Sequence, residues 1–189
     1  MTKQKLVTVL GPTAVGKTKT SIELAKALDG EIISGDSMQI YRGMDIGTAK
    51  VTEEEMEGIP HYLIDIKEPT ENFSAAEFQR LATELVTDIN SRGKVPIIAG
   101  GTGLYVKSVT HQYAFSEAKE DPAYRQQLEQ QAEEEGPVTF HARLKDVDPE
   151  SYETIHPNNV RRVIRALEVY HVTGEPVSAS KDALPEQSP

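Results

Sequence analysis

The segment Gly11-Pro12-Thr13-Ala14-Val15-Gly16-Lys17-Thr18 places two glycines, a lysine and a hydroxyl at the spacing of a phosphate-binding loop. The glycines let the chain curl until successive backbone N–H groups face inward. The helix start behind them adds unpaired donors and the positive end of its dipole. Lys17 supplies a point charge to terminal phosphates, and the Thr18 hydroxyl is placed to ligate Mg²⁺. The plain alternative is a Gly-rich turn with a solvated Lys17. The loop says nothing of which phosphorylated molecule it holds, and ATP-binding kinases share it.

Other residues leave more than one reading open. Asp36 follows the apolar run Glu31-Ile32-Ile33-Ser34 and suits a Mg²⁺ ligand, a general base, or a cap for the chain from Ser37 onward. Thr102, in Gly100-Gly101-Thr102-Gly103, suits either a site residue or a helix N-cap. Asp65 fits the outer sphere of a magnesium site or a structural role. Arg161, Arg162 and Arg165 make one helix face basic, for an anionic partner or for solvent.

The elements that must position these groups follow from apolar periodicity. Leu6–Leu10 reads as a strand into the phosphate loop, and a helix runs from about Lys17 to Leu28, ended by Gly30. Glu31–Ser34 is a second strand. A Gly-rich and then acidic loop fills Tyr41 to Gly58, and Tyr62–Ile66 is a further short strand. Ser74-Ala75-Ala76-Glu77 has the form of a capping box, with Phe78, Leu81, Ala82, Leu85 and Ile89 at helical spacing behind it. Val95–Ala99 is a strand feeding the turn at Gly100. Strand and helix in alternation predict an α/β fold, a parallel sheet with helices on both faces, and ligands beyond the carboxyl ends of its strands.

Beyond about residue 112 the pattern turns helical. Asp121-Pro122 and Asp148-Pro149 each read as an N-cap followed by proline at the first helical position. Leu128 and Ala132 are the apolar anchors of 121–135, while Val160, Val163, Ile164 and Leu167 form a firmer stripe. The stretch 183–189 closes no recognisable element.

Composition bounds the chemistry. The 189 residues include no cysteine, which excludes disulfides and thiolate metal sites, and five histidines without ligand spacing. Net charge −10 speaks against bulk attraction to nucleic acid and leaves local basic patches open. No run is long enough for a membrane span, and the start leads straight into a strand without room for a signal peptide. A cytoplasmic protein, monomeric and using Mg²⁺ with phosphate, is the expectation.

Residues 11–18, the block Ser34-Gly35-Asp36-Ser37-Met38-Gln39-Ile40-Tyr41-Arg42-Gly43-Met44-Asp45-Ile46-Gly47-Thr48-Ala49-Lys50, the turn Gly100-Gly101-Thr102-Gly103-Leu104-Tyr105 and Arg161-Arg162-Val163-Ile164-Arg165-Ala166-Leu167-Glu168 together resemble one family. It is that of the bacterial tRNA dimethylallyltransferases, also called tRNA isopentenyltransferases. The resemblance implies a P-loop NTPase-like α/β core over 1–112. It implies a helical tRNA-binding insertion with a following core-facing helix over 113–189, incomplete because members of the family continue well beyond this length.

The activity so implied is transfer of a dimethylallyl group from dimethylallyl diphosphate to N6 of the adenine 3′ of the anticodon, in tRNAs reading codons that begin with U. Gly11, Pro12, Thr13, Ala14, Val15, Gly16, Lys17 and Thr18 would hold the diphosphate, with Mg²⁺ on Thr18. Asp36 would take the N6 proton, and Lys17 and Thr102 would complete the catalytic set. The tRNA would meet Asp36, Ser37, Met38, Gln39 and Thr102, the segment Val160, Arg161, Arg162, Val163 and Ile164, and Arg125 in the inserted helices. A small-molecule or nucleotide kinase and a non-catalytic RNA-binding remnant are the alternatives.

Overall fold

The computed structural model describes residues 4–111, 115 and 121–179. Its residues fall into two compact units, one within Met1–Tyr113 and one within Ala114–Pro185. The expected boundary at 112 and the closing stretch 183–189 lie outside the described residues.

The first unit runs β1 (Val7–Leu10), α1 (Lys17–Leu28), β2 (Gly30–Ser34), α2 (Glu53–Met56), β3 (His61–Tyr62), α3 (Ala75–Ser91), β4 (Val95–Gly100) and α4 (Gly103–Thr110). The strands form one parallel sheet in the order β1-β4-β2-β3. Neighbouring residues of β2 separate its two apolar layers, as a period of two requires. Ile32 packs with Ile97 and with Ile22 and Ala25 of α1. Ile33 packs with Ile98, with Phe78, Ala82, Val86 and Ile89 of α3, and with Tyr105 and Val106 of α4. Helices therefore cover both faces. Among the described residues β1 pairs only with β4, which leaves its other edge open.

Several details differ from the sequence expectation. Gly30 begins β2 instead of closing α1. Asp29 takes the left-handed turn at φ 51°, and glycine is required at 30 because a Cβ there would lie 2.8 Å from the Val95 carbonyl oxygen. The strand expected over Tyr62–Ile66 ends at Tyr62, because Leu63 and Asp65 both turn to positive φ, 60° and 55°. Ser74 caps α3 by accepting from the Glu77 N–H at 3.1 Å, but the Glu77 carboxylate turns to Lys67 instead of closing the box. The complete capping box belongs to Thr52 and Glu55, which convert the acidic run into α2.

The second unit consists of α5 (Pro122–Glu135), α6 (Pro137–Ala142), α7 (Leu144–Val147), α8 (Pro149–Thr154) and α9 (Val160–Thr173). Asp121 and Asp148 cap α5 and α8 through the N–H groups of Tyr124 and Ser151, each with proline at the first helical position. Asp148 is fully buried and also accepts from the Ser151 hydroxyl and from the N–H and hydroxyl of Ser178. Leu128 and Ala132 anchor α5 in a core with Phe140, Leu144, Val163, Ile164 and Leu167.

Candidate active site

The phosphate loop leaves β1 and enters α1 through two left-handed residues, Ala14 at φ 67° and Gly16 at φ 89°. Gly16 occupies the N-cap without a side-chain cap, so the first N–H groups of α1 are left for a ligand. At Gly11 a Cβ would lie 3.0 Å from the exposed Val15 side chain, a tight contact that Val15 would have to relieve. The Lys17 ammonium folds back to donate to the Pro12 carbonyl at 2.7 Å, across the loop. That is a resting partner which a phosphate oxygen can replace.

Asp36 follows β2 at the carboxyl end of the sheet. Its Oδ1 accepts from the Met38 N–H at 2.9 Å, a local turn that fixes the carboxylate; the other oxygen has no hydrogen-bond partner among the described residues. Thr102 holds the N-cap position of α4 without capping it. Its Oγ1 instead accepts from the Ser37 N–H at 3.1 Å, and the Thr102 N–H donates to the Gly35 carbonyl. Thr102 thus ties the turn after β4 to the turn that carries Asp36. The approach is close enough to demand glycine at 100, where a Cβ would sit 2.3 Å from Gly35 backbone.

Thr13, Gly16, Lys17, Thr18, Asp36 and Gln39 line one cavity of about 310 Å³. Gly11, Pro12, Val15, Ser37, Met38 and Thr102 are not among its lining residues; Met38 is largely exposed and Val15 projects from the loop. No cluster of three carboxylates or histidines capable of caging a metal occurs among the described residues. One hydroxyl, Thr18, with Asp36 beside the same cavity suits Mg²⁺, which retains waters and binds mainly through substrate phosphates.

The IPP transferase family model matches residues 39–189. The chain belongs to the IPP transferase family. It is 65% identical over 175 residues to the tRNA dimethylallyltransferase of Geobacillus thermodenitrificans, covering 93% of this chain and 56% of that one. Among solved structures it resembles the full-length tRNA isopentenylpyrophosphate transferase of Bacillus halodurans, at 59% identity over 92% of this chain and 57% of the other, TM-score 0.61. It also resembles a eukaryotic dimethylallyltransferase acting on tRNA, at 33% identity over 98% and 46% of the two chains, TM-score 0.82. The chain spans about half the length of the curated relatives it matches. No helix among the described residues is long and apolar enough to cross a membrane.

For an IPP transferase the expected tRNA residues divide between the two units. Asp36, Ser37, Met38, Gln39 and Thr102 belong to the first, and Arg125 and 160–164 to the second. In the second, Val163 and Ile164 are buried in the apolar core and Val160 packs against it, so their side chains are not the surface of this segment. Arg161 and Arg162 are exposed and carry its charge outward. Arg125, expected to meet the tRNA, is engaged within its own unit. Together with Arg165 it holds the fully buried Glu168, at 2.7 and 2.8 Å. Arg165 therefore also leaves the expected basic face.

Four side chains have surroundings that the sequence did not indicate. The Lys50 side chain, 6% exposed, donates to the Tyr41 carbonyl, Asp45 and Asp65 at 2.8, 2.7 and 2.6 Å. Burial works against its charge, but the two carboxylates outweigh it and hold its pKa above the ordinary lysine value. Asp65 is thereby a structural anchor for the loop after Tyr41. Gln39 fastens the same loop by donating to the Thr48 and Ala49 carbonyls while accepting from the Ser34 hydroxyl. His61 lines the cavity; burial lowers its pKa, and a ring nitrogen facing the Ile59 carbonyl at 2.8 Å must be the protonated one. Tyr105, stacked on Phe78, is pushed up to about 12 by burial and then by the charges of Tyr41, Asp36 and Glu77, and so stays a neutral phenol.

Proposed function

We propose that this chain carries the donor site and reaction centre of a tRNA dimethylallyltransferase. The reaction moves a dimethylallyl group from dimethylallyl diphosphate to the exocyclic N6 of the adenine 3′ of the anticodon, in tRNAs reading codons that begin with U, and releases diphosphate. The observation that supports it is one cavity lined both by the phosphate loop and by Asp36. A prenyl diphosphate needs the cradle that a nucleotide's terminal phosphates need, without a pocket for base or ribose.

The loop N–H groups and Lys17 bind the diphosphate and oppose its growing charge as the allylic C–O bond breaks. Thr18 would hold Mg²⁺, which supplies further charge neutralisation to the leaving diphosphate. The adenine N6 is a weak nucleophile because its lone pair is delocalised into the ring, so positioning must supply much of the rate. As the N–C bond forms, the free oxygen of Asp36 accepts the departing N6 proton. Thr102, through the Ser37 N–H, keeps that carboxylate in place.

An adenine stacked in the anticodon loop cannot enter a cavity of this kind, so it must be turned out of the stack. Ser37, Met38 and Gln39 flank Asp36 where they would meet that base, and Arg161 and Arg162 would meet phosphates of the stem-loop. The setting is cytoplasmic and the acting species a monomer.

Two substitutions separate the assigned roles. Lys17→Ala is expected to weaken dimethylallyl diphosphate binding at least about 100-fold by calorimetry in Mg²⁺, as loss of a charge-assisted contact requires. Asp36→Asn should bind the donor almost as before, while single-turnover transfer to an anticodon stem-loop falls by about 10²–10⁴. Unchanged donor affinity in the first variant, or an unchanged rate in the second, would sink the corresponding assignment.

A further inference from the structure

The phosphate loop accounts for only part of the cavity. The remainder of its lining includes a continuous apolar wall. Ile32 and Val51 belong to one buried cluster, Ile64 and Ala99 pack against that cluster, and His61 stands beside Ile32 in the sheet register. Across this wall the side chains carry no charge. The His61 ring commits its N–H to the Ile59 carbonyl, and its lowered pKa keeps it neutral at neutral pH. Val51 is held there by the chain just before it, where Lys50 and Gln39 fasten the loop as described.

We propose that Ile32, Val51 and Ile64 receive the hydrocarbon end of an allylic diphosphate, and that Val51 and Ile64 set the prenyl length the cavity admits. This rests on the reading that the phosphate loop holds a diphosphate. Three features of the wall argue for it. An anion cradle and an apolar wall within one cavity match a molecule with a diphosphate head and a short branched tail. A cavity of about 310 Å³ is at the small end for ligand sites, which suits five carbons better than ten. Burying methyl and methylene groups against such a wall is the one attraction it offers a donor, so the wall, unlike the loop, can tell one tail from another.

The test is calorimetry in Mg²⁺ on this chain and on Val51→Ala and Ile64→Ala, with three probes: inorganic pyrophosphate, dimethylallyl diphosphate and the ten-carbon geranyl diphosphate. In the unsubstituted chain dimethylallyl diphosphate should bind more tightly than pyrophosphate, and geranyl diphosphate more weakly than dimethylallyl diphosphate. Each widened variant should keep pyrophosphate affinity within about twofold, lose roughly three- to tenfold for dimethylallyl diphosphate, and reverse the preference toward geranyl diphosphate, as removal of two or three carbon groups from part of the wall implies. Unchanged prenyl preference with pyrophosphate binding intact would overturn the wall as a length gauge and leave the phosphate reading standing. Equal losses for all three probes would overturn it too, because the damage would then lie in the loop or the fold. Failure of the unsubstituted chain to bind pyrophosphate would remove the phosphate reading itself, and this inference with it.

Discussion

Each unit is built around a buried glutamate held by two cations, and the two glutamates use their surroundings differently. Glu31, at the start of β2 and 2% exposed, accepts from both arms of Arg92 at 2.6 and 2.7 Å, from Lys94 at 3.1 Å and from the Tyr62 hydroxyl at 2.8 Å. Glu168, in the middle of α9, accepts from Arg125, Arg165 and the Asp121 N–H. In the first unit the cations come from the end of α3 and the start of β4, so none of the phosphate-site residues is engaged. In the second, the ion cluster takes Arg165 of the basic face expected on α9, and Arg125, expected to meet the tRNA. A count of positive residues therefore overstates the charge a surface presents. Of the arginines on α5 and α9, the pair that faces outward is Arg161 and Arg162.

The comparison is broken most severely by removing a cation and stranding its glutamate. Arg92→Ala and Arg125→Ala should each cost about 3 kcal/mol of unfolding free energy in denaturant titrations, because a buried carboxylate loses its main partner while the second cation remains. A cost below roughly 0.5 kcal/mol, the usual size for surface positions, would remove Arg125 as the support of Glu168.

Acid sharpens the contrast. The Arg92 guanidinium is the main cause holding Glu31 at about 2, against an ordinary value of 4.5; burial opposes it, and Tyr62 and Lys94 assist. A carboxylate with a depressed native pKa stabilises the fold fully above its unfolded value and loses that contribution as pH falls toward its native one. Glu31 should therefore give up roughly 3 kcal/mol in total between pH 4.5 and 2, by the conversion of pKa shift to free energy. Glu168 and Asp148 shift in the same direction, through Arg125 and Arg165 and through Ser151 and Ser178, each working against burial. Denaturant midpoints from pH 7 to 3 should fall in the unsubstituted chain, and less steeply in Glu31→Gln.

The smallest expected effect on stability belongs to the outward pair. Arg161→Ala and Arg162→Ala should change unfolding free energy by no more than about 0.5 kcal/mol. Their combined loss should lower the slope of log affinity against log salt for an anticodon stem-loop by about 2, one per phosphate contact. A slope that does not move would make them a solvated face like any other.

The residues that sequence reading placed correctly obey local rules. The strand into Gly11, the helix start at Lys17, and Asp121 and Asp148 ahead of their prolines all follow from the preferences of a few adjacent residues. The helical stripe from Phe78 to Ile89 is equally local, and it placed α3 on the sheet. What escaped depends on partners distant in sequence. Nothing near Arg125 marks Glu168 as its partner, since 43 residues separate them. Lys50 could not be read as a buried anchor, because Asp65 reaches it only through the left-handed turn that also cuts β3 short. The apolar wall was invisible for the same reason: Ile32, Val51 and Ile64 come from three separate segments and form a surface only once folded.

The open edge of β1 has a mechanical consequence for the loop it carries. Among the described residues the strand has four residues and pairs on one side, with β4, so within them the phosphate loop hangs from it as from a cantilever. A strand added along that free edge would stiffen the support without touching any residue of the cavity. That edge, which has no partner strand among the described residues, is also a template along which two copies can zip together. Among the described residues, support of the loop after β1 and exposure of a pairing edge therefore fall on one short stretch of backbone, Val7 to Leu10.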